Sequence, residues 1–236
     1  MKVVLINYSG TVGKTTVAAH LLAPRMGNAR IFAIETINET AEGLGMDVEK
    51  IKGERFKDLF RQIMLLDDAI IDVGASNVEA MLDGILRYEG SQVEFDYFVV
   101  PVLSGMKEQK ESISMIMTLR EMGIQADRIR ILFNRVNENV QEEFIPILNF
   151  AARENACIAN IDAKLFGTEL FDMLHTKKMS IAELLADEKD YRTLARALPL
   201  DADDKLRMHY TQMHLMKSLA RGIMPQLDSA YQALFA

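Results

Sequence analysis

At 236 residues, 49% of them apolar, the chain has room for one large α/β domain, or one domain with a helical annex, and enough apolar residues for a sizeable core. A formal charge of −7 argues against a dedicated DNA-coating protein, although a local basic patch remains compatible with it. The single cysteine, Cys157, excludes an intrachain disulfide framework and suits a reducing cytosol.

In chain order, Val3-Val4-Leu5-Ile6 reads as a buried strand rather than a signal peptide. It runs into Asn7-Tyr8-Ser9-Gly10-Thr11-Val12-Gly13-Lys14-Thr15-Thr16 and then a helix-like stretch, Val17-Ala18-Ala19-His20-Leu21-Leu22. Strand, glycine-bearing loop, Gly-Lys-Thr and helix are the context of a phosphate-binding loop. The backbone N–H groups of residues 10–16 point at an anion, because the first turn of a helix leaves them without intrahelical partners. Gly10 and Gly13 allow close approach of the backbone, Lys14 sets a charge beside the β- and γ-phosphates, and the Thr15 hydroxyl is placed to ligate Mg²⁺. Tyr8 stands where the usual pattern has its first glycine.

Residues 30–35 predict a second buried strand ending in Glu35, with Asn38 just beyond. Helical spacing of Phe56, Leu59, Phe60 and Ile63 predicts an amphipathic helix over 54–66. Residues 69–74 form an apolar strand that ends in Asp72 and Gly74. An Asp at such a strand end holds Mg²⁺ in phosphate-loop proteins, and the Gly74 N–H is set to face a γ-phosphate. A helix over 77–88, a strand from Phe95 to Leu103, a helix over 106–122 and a strand from Ile129 to Phe133 follow. Asn134-Arg135-Val136-Asn137 closes that last strand. The Asn134 amide can read a purine edge, and Asn137 replaces the carboxylate that a guanine site needs, so adenine is favoured. A helix over 139–153 and a short strand from Cys157 to Ala159 complete the alternation.

Short apolar strands alternating with helices imply a doubly wound, mostly parallel α/β sheet, with every motif at a C-terminal strand end. Beyond about residue 165 the pattern turns helical, over 168–175, 180–198 and 203–235, so the division expected is a nucleotide-binding domain 1–165 and a helical extension 166–236. Leu206, Met213, Ala220, Leu227 and Leu234 lie seven apart, with a second row at Met216, Ile223 and Ala230. This seam packs on the chain's own core or on a partner. Gly222 and Pro225 predict a kink there or two helices. No apolar run is long enough to span a bilayer, and the four histidines show no metal-ligand spacing.

The loop 7–16 with the helix start after it, Ile70-Ile71-Asp72-Val73-Gly74-Ala75-Ser76 and Phe133-Asn134-Arg135-Val136 together resemble the ParA/MinD group of deviant-Walker ATPases. Within it they resemble the plasmid stability proteins of the StbB type, which are encoded beside a DNA-binding StbA. The resemblance implies an ATP/ADP and Mg²⁺ site, with Gly10 to Thr16, Asn134 and Arg135 at the nucleotide, Thr15 and Asp72 at the metal, and Lys14, Asp72 and Glu35 as catalytic groups. It also implies a nucleotide-dependent homodimer in a bacterial cytoplasm, a DNA-binding StbA-like adaptor as partner, and a role in plasmid segregation, positioning or stability linked to conjugation.

Ser9 falls where the family carries a lysine that reaches across the dimer. The family's Asp-x-Asp falls on Glu35 and Ile37. Slow hydrolysis is expected from both departures, with Lys107, Lys110 and Arg135 as alternative cations. The alternative function is a small-molecule ATP-dependent ligase or kinase of the dethiobiotin-synthetase type, for which the loops after Asp72 and Pro101 offer Ser76, Asn77, Ser104 and Lys107.

Overall fold

A computed structural model describes residues 1–27, 29–34, 56–88, 90–199 and 201–236, and the backbone of 48–51. Among the described residues seven strands form one sheet: β1 (Lys2–Leu5), β2 (Arg30–Ile34), β3 (Val48–Ile51), β4 (Ala69–Val73), β5 (Tyr97–Val102), β6 (Ile129–Val136) and β7 (Lys164–Phe166). Their order is β3-β2-β4-β1-β5-β6-β7, and every pairing is parallel. The chain leaves β1 toward β2 on one side, whereas β5 leads to β6 on the other. The crevice at such a switch point, beyond the C-terminal strand ends, is where ligands bind in open α/β sheets.

Both faces of the sheet are buried, as parallel sheets require. Successive side chains on a strand point to opposite faces, so β1 splits its residues between two cores. Val4 and Ile6 join Phe32, Ile71, Phe98 and Phe133 under α2 (Phe56–Ile63), α3 (Val78–Arg87), α4 (Met106–Glu121) and α6 (Ile145–Glu154), the last reached through the short α5 (Val140–Glu143). Val3 and Leu5 join Ile31, Ile70, Val99 and Leu132 on the opposite face. There they meet the helix that follows β1, together with α7 (Leu170–Lys177), α8 (Ile181–Ala186) and α10 (Asp204–Phe235), while α9 (Tyr191–Ala197) packs on α10.

The structure differs from the sequence reading at three places. The strand β3 carries no apolar pattern that could announce it: Val-Glu-Lys-Ile sits at the sheet edge and pairs with β2. The strand expected at Cys157 to Ala159 is reduced to one bridge between Ile158 and Arg130, and the paired strand is β7, which crosses residue 165. The last helix is one continuous element of 32 residues with Pro225 inside it, not two helices. Its row Met213, Ala220, Leu227 and Leu234 and the row Met216, Ile223 and Ala230 are buried in the second core, whereas Leu206 is 39% exposed.

The helix after β1 is irregular on either side of Pro24. It opens as α1 (Lys14–Thr16), widens to a π-helix over Val17–Leu22 and tightens to a 3₁₀ turn over Ala23–Arg25. Pro24 has no N–H to give back to the preceding turn. Arg25 supplies the missing donor: its Nη1 donates to the carbonyls of His20 and Leu21 at 3.1 and 3.2 Å. Its Nε donates to Asp228 on α10 at 2.9 Å, which fixes this helix to the last one.

Candidate functional site

The loop after β1 is held from three sides. Asn7 is fully buried, and its Nδ2 donates to the Pro101 carbonyl at the end of β5 and to Ser112 Oγ on α4, both at 2.8 Å. Its Oδ1 accepts the Ser9 N–H at 3.1 Å. Tyr8, in the place of the usual glycine, puts its hydroxyl 3.2 Å from Thr118 Oγ1 on α4. On the third side Asn134 Nδ2 donates to the Val12 carbonyl at 2.8 Å. Gly13 has φ +81°, a left-handed conformation open to glycine at no steric cost.

Lys14 lies inside the loop, 5% exposed, and its Nζ donates to the carbonyls of Ser9 at 2.7 Å and Asn7 at 3.2 Å. Thr15 Oγ1 donates to Asp72 Oδ2 at 2.6 Å, which joins the first turn of α1 to the end of β4. Burial pushes the Asp72 carboxyl up from its ordinary range, and the Thr15 bond and the Lys14 charge oppose that. Two oxygen donors side by side below the anion-binding turn fit Mg²⁺, which takes one or two protein oxygens and completes its shell with phosphate and water. Among the described residues no group of three or more His, Cys, Asp or Glu side chains could cage a metal without such help.

A cavity of about 1160 Å³ opens over this loop. Gly10, Thr11, Gly13, Lys14, Thr15 and Thr16 line one end, with Asp72, Gly74 and Ser76 beside them. Asn134 and Arg135 at the end of β6 line it too, as do Phe171, Asp172 and His175 of α7. Val12 is buried behind the loop and contributes its carbonyl to the Asn134 bond.

The structure thus gathers Gly10 to Thr16, Asp72, Asn134 and Arg135 in one place. Three expectations need correction or fall elsewhere. The Gly74 N–H donates to the Ile34 carbonyl at 3.0 Å, so it ties β4 to β2 and does not face the cavity. Asn137 is exposed and turns away: its Nδ2 donates to Glu143 Oε2 at 3.0 Å, and Glu143 also accepts the N–H groups of residues 137, 138 and 139. Burial raises the Glu143 pKa, but these bonds outweigh it and hold the carboxyl low. Glu35, Ile37 and Asn38 lie outside the described residues. Of the alternative cations, Arg135 lines the cavity, and Lys107 pairs loosely with Glu111 on α4 at 3.7 Å.

Sequence reasoning missed the α7 wall and His20. The signal for His20 was its place four residues after Thr16, close to one helical turn.

No protein-family model matches the chain, and no curated protein matches it in sequence. Solved structures do match in fold. The cell division ATPase MinD of Pyrococcus furiosus superposes with a TM-score of 0.55 at 11% identity, over 92% of this chain and 98% of that one. An ATP complex of McdA from Cyanothece gives 0.51 at 14% identity, over 90% and 95%. MinD of Pyrococcus horikoshii, complexed with Mg-ADP, gives 0.51 at 12% identity, over 95% and 98%. The chain therefore has the fold of the MinD-type P-loop ATPases, with the long helix α10 laid across one face.

Proposed function

We propose that this chain binds ATP with Mg²⁺ and works as a slowly hydrolysing ParA/MinD-like switch. The observation that carries the reading is the coupling of Lys14, Thr15 and Asp72 beneath a loop at the switch point of a parallel sheet. Lys14 would leave the Ser9 and Asn7 carbonyls for the β- and γ-phosphates, and the N–H groups of residues 10–16 would take the phosphate oxygens. Thr15 and Asp72 would hold Mg²⁺, which neutralises charge on the transferring phosphoryl. Asn134 keeps a second N–H and a second lone pair beyond its bonds to Val12 and Arg135, enough to read an adenine edge.

In the cell the switch would act in plasmid stability, segregation or intracellular positioning, in the bacterial cytoplasm. ATP would drive a homodimer across the loop edge, and a DNA-binding adaptor of the StbA type would couple it to the plasmid. The nucleotide-bound state of the McdA and MinD structures with this fold supports the ligand. The resemblance of residues 7–16 and 70–76 to the StbB type supports the role. Among the described residues no helix is long and apolar enough to cross a membrane.

The test is calorimetry of the purified protein with ATP, ADP and GTP in Mg²⁺, followed by size-exclusion chromatography with and without ATP. Micromolar ATP binding and ATP-dependent dimerisation are expected. A monomer that does not bind ATP refutes the reading, and ATP binding without association refutes the switch.

A further inference from the structure

His20 follows Thr16 by four residues, inside the π-helical stretch Val17–Leu22, and lines the same cavity. It is 3% exposed, and its Nε2 has no hydrogen-bond partner among the described residues. Buried polar atoms are nearly always paired, so an unpaired one needs an account. Packing alone gives none, because an apolar ring would fill the position without leaving a nitrogen unbonded. The imidazole stacks on Phe171 of α7, with ring centroids 5.3 Å apart and planes at 26°. Burial lowers its pKa to about 4, so it is neutral near pH 7 and carries one N–H donor and one acceptor.

The position selects what it can meet. A nucleotide whose phosphates lie on residues 10–16 leaves its nucleoside end to the rest of this cavity, whose lining includes His20, Asn134 and Phe171. Both sugar and base offer groups that complement a neutral imidazole. We propose that His20 is a specificity-determining residue of the nucleotide site, where its imidazole hydrogen-bonds the nucleoside end and Phe171 moves aside to admit it. The proposal rests on the nucleotide-binding reading above and deepens it. Phe171 is half-buried, packed against the second core from a helix of eight residues.

The test separates the two ends of the ligand. Mg-ATP and inorganic triphosphate are titrated calorimetrically into the wild type, into His20→Phe, which keeps an aromatic ring against Phe171, and into His20→Asn, which restores a polar group. His20→Phe should weaken ATP by about 10-fold, the scale of one lost hydrogen bond, and leave triphosphate unchanged. His20→Asn should recover part of the loss. In the ¹⁵N-labelled wild type the His20 Nε2 resonance should shift with ATP and stay in place with triphosphate. Unchanged ATP affinity in His20→Phe, equal weakening of both ligands, or a resonance indifferent to ATP would overturn the proposal. A wild type that binds triphosphate no less tightly than ATP removes the nucleoside contact alone. A wild type that binds neither removes the phosphate loop as well.

Discussion

The side-chain amide of Asn134 sits on Gly13: a Cβ built at position 13 would stand 2.8 Å from Asn134 Nδ2, the nitrogen that donates to the Val12 carbonyl. The strand β6 and the phosphate loop therefore fit together through a missing side chain. Gly13→Ala meets two costs at once, a left-handed backbone and a displaced amide. The loss should be about 2–3 kcal/mol, of which the backbone alone contributes roughly 1–2. Urea denaturation reads the stability and calorimetry the accompanying loss of ATP affinity. A wild-type midpoint would mean that Asn134 has room to turn away freely.

Lys14→Ala should abolish or greatly weaken ATP binding, because it removes the cation that reaches the phosphates. The burial of Lys14 adds a second effect. The Ser9 and Asn7 carbonyls lose their donor, and stability should fall by about 1–2 kcal/mol with the fold retained. Calorimetry and a melting curve report the two effects separately. Near-wild-type ATP affinity would refute the phosphate-loop assignment.

Asp72→Asn keeps an acceptor for Thr15 and deletes the charge. ATP affinity should then lose most of its dependence on Mg²⁺, while stability stays level or rises, because a carboxylate buried to 2% exposure no longer has to be held ionised. Paired titrations with Mg²⁺ and with a chelator measure this. A variant as responsive to Mg²⁺ as the wild type would move the metal site away from Asp72.

Acid should destabilise the protein through His20. Its folded pKa, about 4, lies below the ordinary 6.5, so between these values the unfolded chain binds the extra proton. Stability should fall as pH drops from 6.5 and level off below 4, by on the order of 3 kcal/mol in total. Asp72, shifted upward, works in the opposite sense. The comparison that isolates His20 is therefore the pH profile of the wild type against His20→Phe, which should be flatter by this amount. Superimposable profiles would place His20 in water in the native state.

Basal hydrolysis should be slow, on the order of 10⁻⁴ to 10⁻³ per second, as in P-loop proteins that lack the added cation. Ser9 is buried, with its carbonyl bound to Lys14, and offers no positive charge to a facing subunit. Steady-state phosphate release from the purified protein measures this. Several turnovers per second without a partner would assign the missing charge to Arg135, Lys107 or Lys110, or the water-orienting role to Glu35.

Much of the architecture was legible because strand and helix periods are strong signals where both faces are buried. The strands β1, β2, β4, β5 and β6 each carry an apolar run and a chemical group at the C-terminal end. Val48–Ile51 has Glu49 and Lys50 side by side at its centre, so neither period shows, and its pairing is decided by its neighbour β2, not by its own composition. Gly222 and Pro225 were read as a kink or a junction of two helices, yet one helix continues through them because Leu227, Ala230 and Leu234 are anchored in the core beyond. In the site, Lys14, Thr15 and Asp72 could be read from spacing. The turn of Asn137 toward Glu143 could not, because a capping bond six residues away leaves no periodic trace. It also changes what Asn137→Asp would do. The substitution sets two carboxylates against each other at the start of α5, so the first effect expected there is a loosened turn rather than a changed base preference.

The short outer strand β7 has a consequence for solubility. An exposed sheet margin is a template on which other chains can add strands, and proteins that assemble on demand have to keep such margins closed. Here the margin is three residues long, and the Phe166 N–H is taken by the Gln226 side chain of α10 at 3.4 Å. The long helix thus acts as a selvedge along that side of the sheet. Shortening it should leave that margin open to accretion strand by strand.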